Sequence, residues 1–142
     1  MARIENASGD PRFPDVLERA LLDSLKAAAP QSVNSHVQLA VRGDDGTLLA
    51  GLEGATSYGW LKVELLWATP GLRRSGIGRT LMDRAFGLAS DQGCHACWLE
   101  TSNRESLAFY RRLGFESFGT LKNQTDQTPA GHTRWFLKRA PS

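Results

Sequence analysis

Residues 69–86 read TPGLRRSGIGRTLMDRAF. They join an apolar run, GWLKVELLWA (59–68), to a segment in which Ile77, Leu81, Ala85, Leu88 and Ala89 recur at helical spacing. Pro70 ends the strand, and Gly93 suits the position just past the helix end. Between them Arg73, Arg74 and Arg79 gather positive charge around Gly76 and Gly78. A helix amino end carries unpaired N–H groups and the positive pole of the helix dipole, so it holds an anion wherever side chains leave room. Glycine leaves that room, and guanidinium groups match phosphate oxygens in geometry. The stretch predicts a strand, a diphosphate-binding turn and a helix. There is no GxxxxGK[ST], and the GIG pair lacks the third glycine and the acidic residue of a dinucleotide fingerprint. Nucleoside triphosphates and NAD are therefore disfavoured as ligands.

Outward from this junction the elements follow in order. FPDVLERALLDSLKAAAP (13–30) places Phe13, Leu17, Leu21, Leu25 and Ala28 on one helical face, between prolines near its start and past its end. HVQLAVRG alternates Val37, Leu39 and Val41, and Asp44-Asp45-Gly46 turns the chain into TLLAGLEGAT (47–56), giving two antiparallel strands. GWLKVELLWA is so rich in large apolar residues that a central strand buried on both faces is expected. CHACWLET (94–101) reads as another strand. Ser102-x-x-Glu105 has the form of a capping box opening a short helix, RESLAFYRRL, that stops at Gly114. FESFGTL and HTRWFLK are two last strands around the polar loop KNQTDQTPAG. The order predicts an α/β (α+β) fold with a mixed sheet and one domain over residues 1–142.

Composition narrows the partners. Seventeen Lys and Arg against fifteen Asp and Glu leave a formal charge of +2, too small to imply nucleic acid or a membrane surface. Arg3, Glu5 and Asp10 interrupt the start where a signal peptide needs an apolar stretch, and no run is long enough to span a membrane, so a cytoplasmic location is expected. Cys94 and Cys97 form a lone CxxC without zinc-type companions. They read as ordinary strand thiols, and no metal is expected.

RRSGIG (73–78), after LWATP and before RTLM, matches the [RQ]xxGx[GA] signature of the GNAT N-acetyltransferases, and SNRESLAFYRRLGFE (102–116) resembles that family's second hallmark. The resemblance is strong over Trp60–Glu116. It implies a mostly antiparallel sheet flanked by helices, with a splayed central strand pair that admits the pantetheine arm of acetyl-CoA. Leu66 and Ala68 match the strand positions whose backbone bonds that arm and stabilises the oxyanion. The loop and first helical turn formed by Arg73, Arg74, Ser75, Gly76, Ile77, Gly78, Arg79 and Thr80 match the pyrophosphate site. Asn103 matches an asparagine that contacts the CoA arm, and is equally a helix-capping residue. Tyr110 matches the tyrosine whose hydroxyl protonates or hydrogen-bonds the departing thiolate.

An attacking amine must also lose a proton. Glu64 lies mid-strand, by simple alternation on the same face as Trp60, Lys62 and Leu66, where a carboxylate needs a purpose or a partner. It is the candidate general base, acting through water, or the binder of the substrate ammonium; the competing reading is an ion pair with Lys62. Trp60, Glu53, Glu100 and His132 are the remaining candidates for the acceptor pocket. Direct transfer in a ternary complex is favoured over an acyl-cysteine. The acceptor expected is a small-molecule amine, on a likeness to kasugamycin-type aminoglycoside acetyltransferases. Protein, peptide or aminoacyl-tRNA acceptors and a non-catalytic acyl-CoA-binding regulator are the alternatives, and a homodimer is the expected assembly.

Overall fold

The computed structural model describes residues 2–140, which fall into two compact units dividing between Ser32 and Val33. The first carries helix α1, Phe13–Ala28. Pro14 sits in its first turn, where its missing N–H has no helical partner to lose, and Asp15 there and Lys26 in the last turn complement the dipole. Ala29 leaves the helix at φ −161°, as the residue before Pro30 must to avoid the proline ring.

The second unit runs β1 (Ser35–Arg42), β2 (Leu48–Ser57), β3 (Trp60–Ala68), a 3-10 turn at Pro70–Leu72, α2 (Ile77–Asp91), β4 (Ala96–Thr101), α3 (Arg104–Arg112), β5 (Glu116–Lys122) and β6 (Thr133–Arg139). The six strands form one sheet in the order β1-β2-β3-β4-β6-β5. Every neighbouring pair is antiparallel except β3 and β4, which α2 joins as a crossover. Leu81, Met82, Ala85 and Ala89 of α2 are buried in one cluster with Leu52 and Leu61 of the sheet. The mixed, mostly antiparallel sheet is the one expected.

Two features of β3 depart from expectation, and both shape the site. The strand was expected to be buried on both faces, yet only Leu61 and Val63 are buried, while Glu64, Leu65 and Trp67 are exposed. Its pairing with β4 stops after Trp60↔Ala96, Leu61↔Cys97 and Lys62↔Trp98, so from Val63 onward the two strands diverge. The second departure is a bulge. Val63 faces Gly54 and Leu65 faces Glu53, leaving Glu64 as the extra residue on β3. Directly opposed residues share a face, so Leu66, opposite Leu52, joins Leu61 and Val63 on the core side. Leu66 therefore does not share the face of Trp60 and Lys62 as plain alternation implies, because one inserted residue inverts the parity of everything after it.

Cys94 is half-buried ahead of β4 and Cys97 is fully buried in it. Burial pushes the Cys97 thiol up to about 12, so it stays protonated and unreactive at neutral pH.

Candidate active site

The turn after β3 is held by its own backbone. Leu72 N–H donates to Thr69 O at 2.9 Å, Ser75 N–H to Leu72 O at 3.2 Å, and the Ser75 hydroxyl also donates to Leu72 O. Two residues adopt the left-handed region, Arg74 at φ 62° and Gly76 at φ 87°. Glycine takes that conformation freely, whereas arginine holds it at a cost of roughly 1–2 kcal/mol. Gly76 is the N-cap of α2 and has no side chain with which to cap it. The first backbone bond of the helix is Thr80 N–H to Gly76 O at 3.0 Å, and the Thr80 hydroxyl donates to the same oxygen at 3.1 Å. The N–H groups of Ile77, Gly78 and Arg79 precede that bond, and no side chain caps them. They line a cavity.

That cavity is a cleft of about 770 Å³ between the end of β3, the first turn of α2 and one side of α3. Leu66 and Ala68 form the strand wall, and Arg73, Arg74, Gly76, Ile77, Gly78 and Arg79 the turn and helix wall. Asn103 and Tyr110 lie on the α3 wall. Ten of the twelve predicted cofactor residues thus meet in one place; Ser75 and Thr80 do not line it, their hydroxyls being turned back onto Leu72 and Gly76. Arg73 also braces the strand end, its Nε donating to Ala68 O at 3.2 Å. Gly78 has a reason beyond access to an anion: a Cβ there would stand 3.1 Å from Phe109 Cζ, so α2 and α3 approach this closely only without one.

The cap of α3 differs from the expected box. Asn103, not Ser102, is the N-cap, its Oδ1 accepting from Glu105 N–H at 2.8 Å and Ser106 N–H at 3.0 Å. The capping and ligand-binding readings of Asn103 are compatible, since the cap uses Oδ1 and leaves the Nδ2 donor on a residue that lines the cleft. Tyr110 is only 8% exposed, with edge-on contacts to Phe109 at 5.1 Å and Phe115 at 5.6 Å. Loss of water around the phenol, reinforced by the neighbouring Cys97 thiol, raises its pKa to about 12.

The five residues expected to meet the acceptor lie outside this lining. Glu64 is exposed at the bulge, just past the last β3–β4 pair. Among the described residues it makes no ion pair with Lys62, whose Nζ sits 4.8 Å over the Trp98 ring. Glu100 is exposed on β4 opposite Phe136. Glu64 and Glu100 each stand two residues beyond the last β3–β4 pair, Lys62↔Trp98. Glu53 pairs with His36 at 3.5 Å, on the strand beyond. Trp60 packs edge-on against His95 at the closed end of the strand pair, and half-buried His132 precedes β6.

A model of the acetyltransferase (GNAT) family matches residues 3–115. The chain belongs to the GNAT acetyltransferase family. An acetyltransferase of Agrobacterium fabrum is 33% identical over 108 residues, 73% of this chain and 79% of its own length. Blasticidin-S acetyltransferase of Streptomyces morookaense is 38% identical over 96 residues, 67% and 68% of the two chains. Among solved structures, an Agrobacterium tumefaciens chain assigned as an acetyltransferase superposes with a TM-score of 0.86 at 26% identity, covering 99% of this chain and 100% of its own. A Bacillus anthracis chain assigned as a streptothricin acetyltransferase, at a TM-score of 0.65 and 14% identity over 80% of this chain and 65% of its own, was solved with acetyl coenzyme A.

GNAT enzymes use acetyl-CoA. The donor set of the cleft fits that cofactor: an uncapped helix end and three guanidinium-bearing residues for phosphates, and a strand wall beyond which the next strand has diverged. Several lining residues of this acetyltransferase lie inside the quoted motifs but carry no ligand-binding role there, among them Trp67, Glu105, Phe109 and Arg112. For three of them the spacing was a signal, since Glu105, Phe109 and Arg112 recur at i, i+4 and i+7 on α3.

Proposed function

We propose that this acetyltransferase moves the acetyl group of acetyl-CoA to an amine of a small cationic molecule of the antibiotic class, aminoglycosides of the kasugamycin type included, by direct attack in a ternary complex. The observation that carries this reading is the joining of the uncapped α2 amino end to the β3–β4 divergence in one cleft. The likeness to a blasticidin-S acetyltransferase supports a small-molecule acceptor. We also propose that the protein is a cytoplasmic homodimer and, on the family match across 3–115, that residues 1–142 work as one acetyltransferase domain.

When bound, acetyl-CoA supplies an activated acyl group. The chain's own parts divide the remaining work. Arg73, Arg74, Arg79 and the Ile77–Arg79 N–H groups hold the diphosphate. Leu66 and Ala68 offer backbone groups along the β3 edge that β4 does not cover, which can stabilise the oxyanion. The Asn103 Nδ2 donates to the arm. Glu64 takes the amine proton through water, and Glu100 on the facing lip attracts the ammonium. Tyr110 donates a hydrogen bond to the leaving sulfur. A phenol with pKa about 12 surrenders its proton to a thiolate whose own acid titrates near 8.5 only about 3.5 units uphill, so it stabilises the anion without ionising.

A screen of amines, aminoglycosides included, for thiol release from acetyl-CoA tests the proposal. An acceptor supporting many turnovers is expected, and with it Glu64→Gln should lower kcat most towards low pH. A panel in which only peptides or aminoacyl-tRNA are acetylated would overturn the acceptor class. An unchanged pH profile in Glu64→Gln would remove Glu64 as the base.

A further inference from the structure

The two helices of the six-stranded unit spend their buried residues on one face of the sheet, where Leu81, Ala85 and Tyr110 meet Leu61 and Leu99. The cleft that fits acetyl-CoA opens on that side, between α2 and α3. Direct attack needs the amine where the cofactor does not stand, so the acceptor reaches the β3–β4 opening from the other face. Alternation places Lys62, between buried Leu61 and Val63, and Trp98, between buried Cys97 and Leu99, on that other face. Lys62↔Trp98 is the last β3–β4 pair, so both stand where the strands begin to part. Glu100 is the next residue of β4 on the same face, about 6–7 Å beyond Trp98.

The Lys62 ammonium lies 4.8 Å from the centroid of the Trp98 ring. Both side chains are half-buried, and among the described residues no carboxylate pairs with Lys62. Its charge is met by the negative face of the indole, the aromatic ring that attracts cations best. The protein thus keeps an ammonium of its own at the apex of the opening, and an acceptor with a second cationic group competes for the same ring. Leu66, whose backbone borders the thioester, lies four residues on from Lys62, one of them the bulge. About 10–13 Å therefore separates the reacting amine from the ring.

We propose that Trp98 is a seat for a second, non-reacting cationic group of the acceptor, and that Lys62, by filling the seat itself, limits affinity for such acceptors. The seat rests on the cationic-acceptor reading given above and sets the distance between the acceptor's charges. Thiol release from acetyl-CoA is measured with octamethylenediamine, whose extended chain reaches from thioester to ring, and with octylamine, which has no second cation. Lys62→Met keeps the apolar stem and should raise the kcat/KM ratio of diamine over monoamine about threefold to tenfold, through KM, the span of one cation–π contact. Adding Trp98→Leu should cancel that gain, and adding Trp98→Phe instead should keep part of it. Octylamine turnover in each variant reports that the fold is intact. An unchanged ratio in Lys62→Met would overturn the proposal. So would a gain that survives Trp98→Leu, since loss of a like charge alone would then explain it. Where Trp98→Leu unfolds the sheet, Trp98→Phe carries the test, and an undiminished gain there overturns the seat. Failure of wild type and Lys62→Met alike to acetylate the diamine would overturn it too, while the acceptor class stands or falls separately on the aminoglycoside screen.

Discussion

The chain has two tyrosines, Tyr58 and Tyr110, so Tyr58→Phe isolates the buried phenol for direct titration. An ordinary phenol titrates near 10, and Tyr110 is raised to about 12 by loss of hydration. At about pH 11 an ordinary phenol is roughly nine-tenths ionised, while folded Tyr110 is roughly one-tenth ionised. Linkage fixes the stability cost. Above pH 10 the unfolded chain releases the proton that the folded chain keeps, so the unfolded state binds fewer protons and stability falls as pH rises. The loss runs from about 10 to about 12 at roughly 1.4 kcal/mol per pH unit, or about 2.7 kcal/mol in all, and Tyr110→Phe should remove that share. Rapid mixing of Tyr58→Phe from neutral pH to about pH 11, followed by phenolate absorbance, separates the two states. Tyr110 should show only about one-tenth of its phenolate absorbance within the mixing time and gain the rest only at the unfolding rate. Full phenolate absorbance within mixing would refute the burial argument and with it the role of Tyr110 as a donor that stays protonated at neutral pH.

Asn103→Asp should separate capping from binding: its carboxylate keeps the cap, so thermal stability should match wild type, while acetyl-CoA affinity measured by calorimetry falls because the Nδ2 donor is gone. Asn103→Ala should additionally lose about 1 kcal/mol of stability; unchanged affinity in both variants would leave Asn103 a cap alone. Gly78→Ala sets an overpacking cost of about 1–3 kcal/mol against Phe109 over a helix-propensity gain of at most about 1 kcal/mol, so denaturant unfolding should report net destabilisation. Adding Phe109→Leu should recover most of that loss, and no recovery would show that the contact is not the cause.

Much of the donor site was legible before any coordinates. A signature loop carries its meaning locally: the order Arg73, Gly76, Gly78 followed by helical periodicity already says where unpaired N–H groups and positive charge coincide. Residues that act through backbone conformation, such as Gly76, were legible for the same reason. The acceptor side was less so. Glu64 and Glu100 are single carboxylates on different strands, and only the parallel pairing of β3 and β4 shows that each stands two residues beyond its last pair. Asn103 supplanted Ser102 as the cap because a one-residue shift in helix start, invisible to the Ser-x-x-Glu pattern, decides which oxygen meets the free N–H groups.

Periodicity, turn residues and the loop signature by themselves determined the element order, the helix faces and the anion site, since each depends on neighbours within a few turns of chain. Which side chains share a wall depends on contacts between distant segments. The bulge at Glu64, the end of β3–β4 pairing at Lys62, the Gly78–Phe109 contact and the presence of Arg112 beside α2 are all of this kind. Tertiary structure decided them, because strand register and helix approach are set by packing across the sheet rather than along the chain.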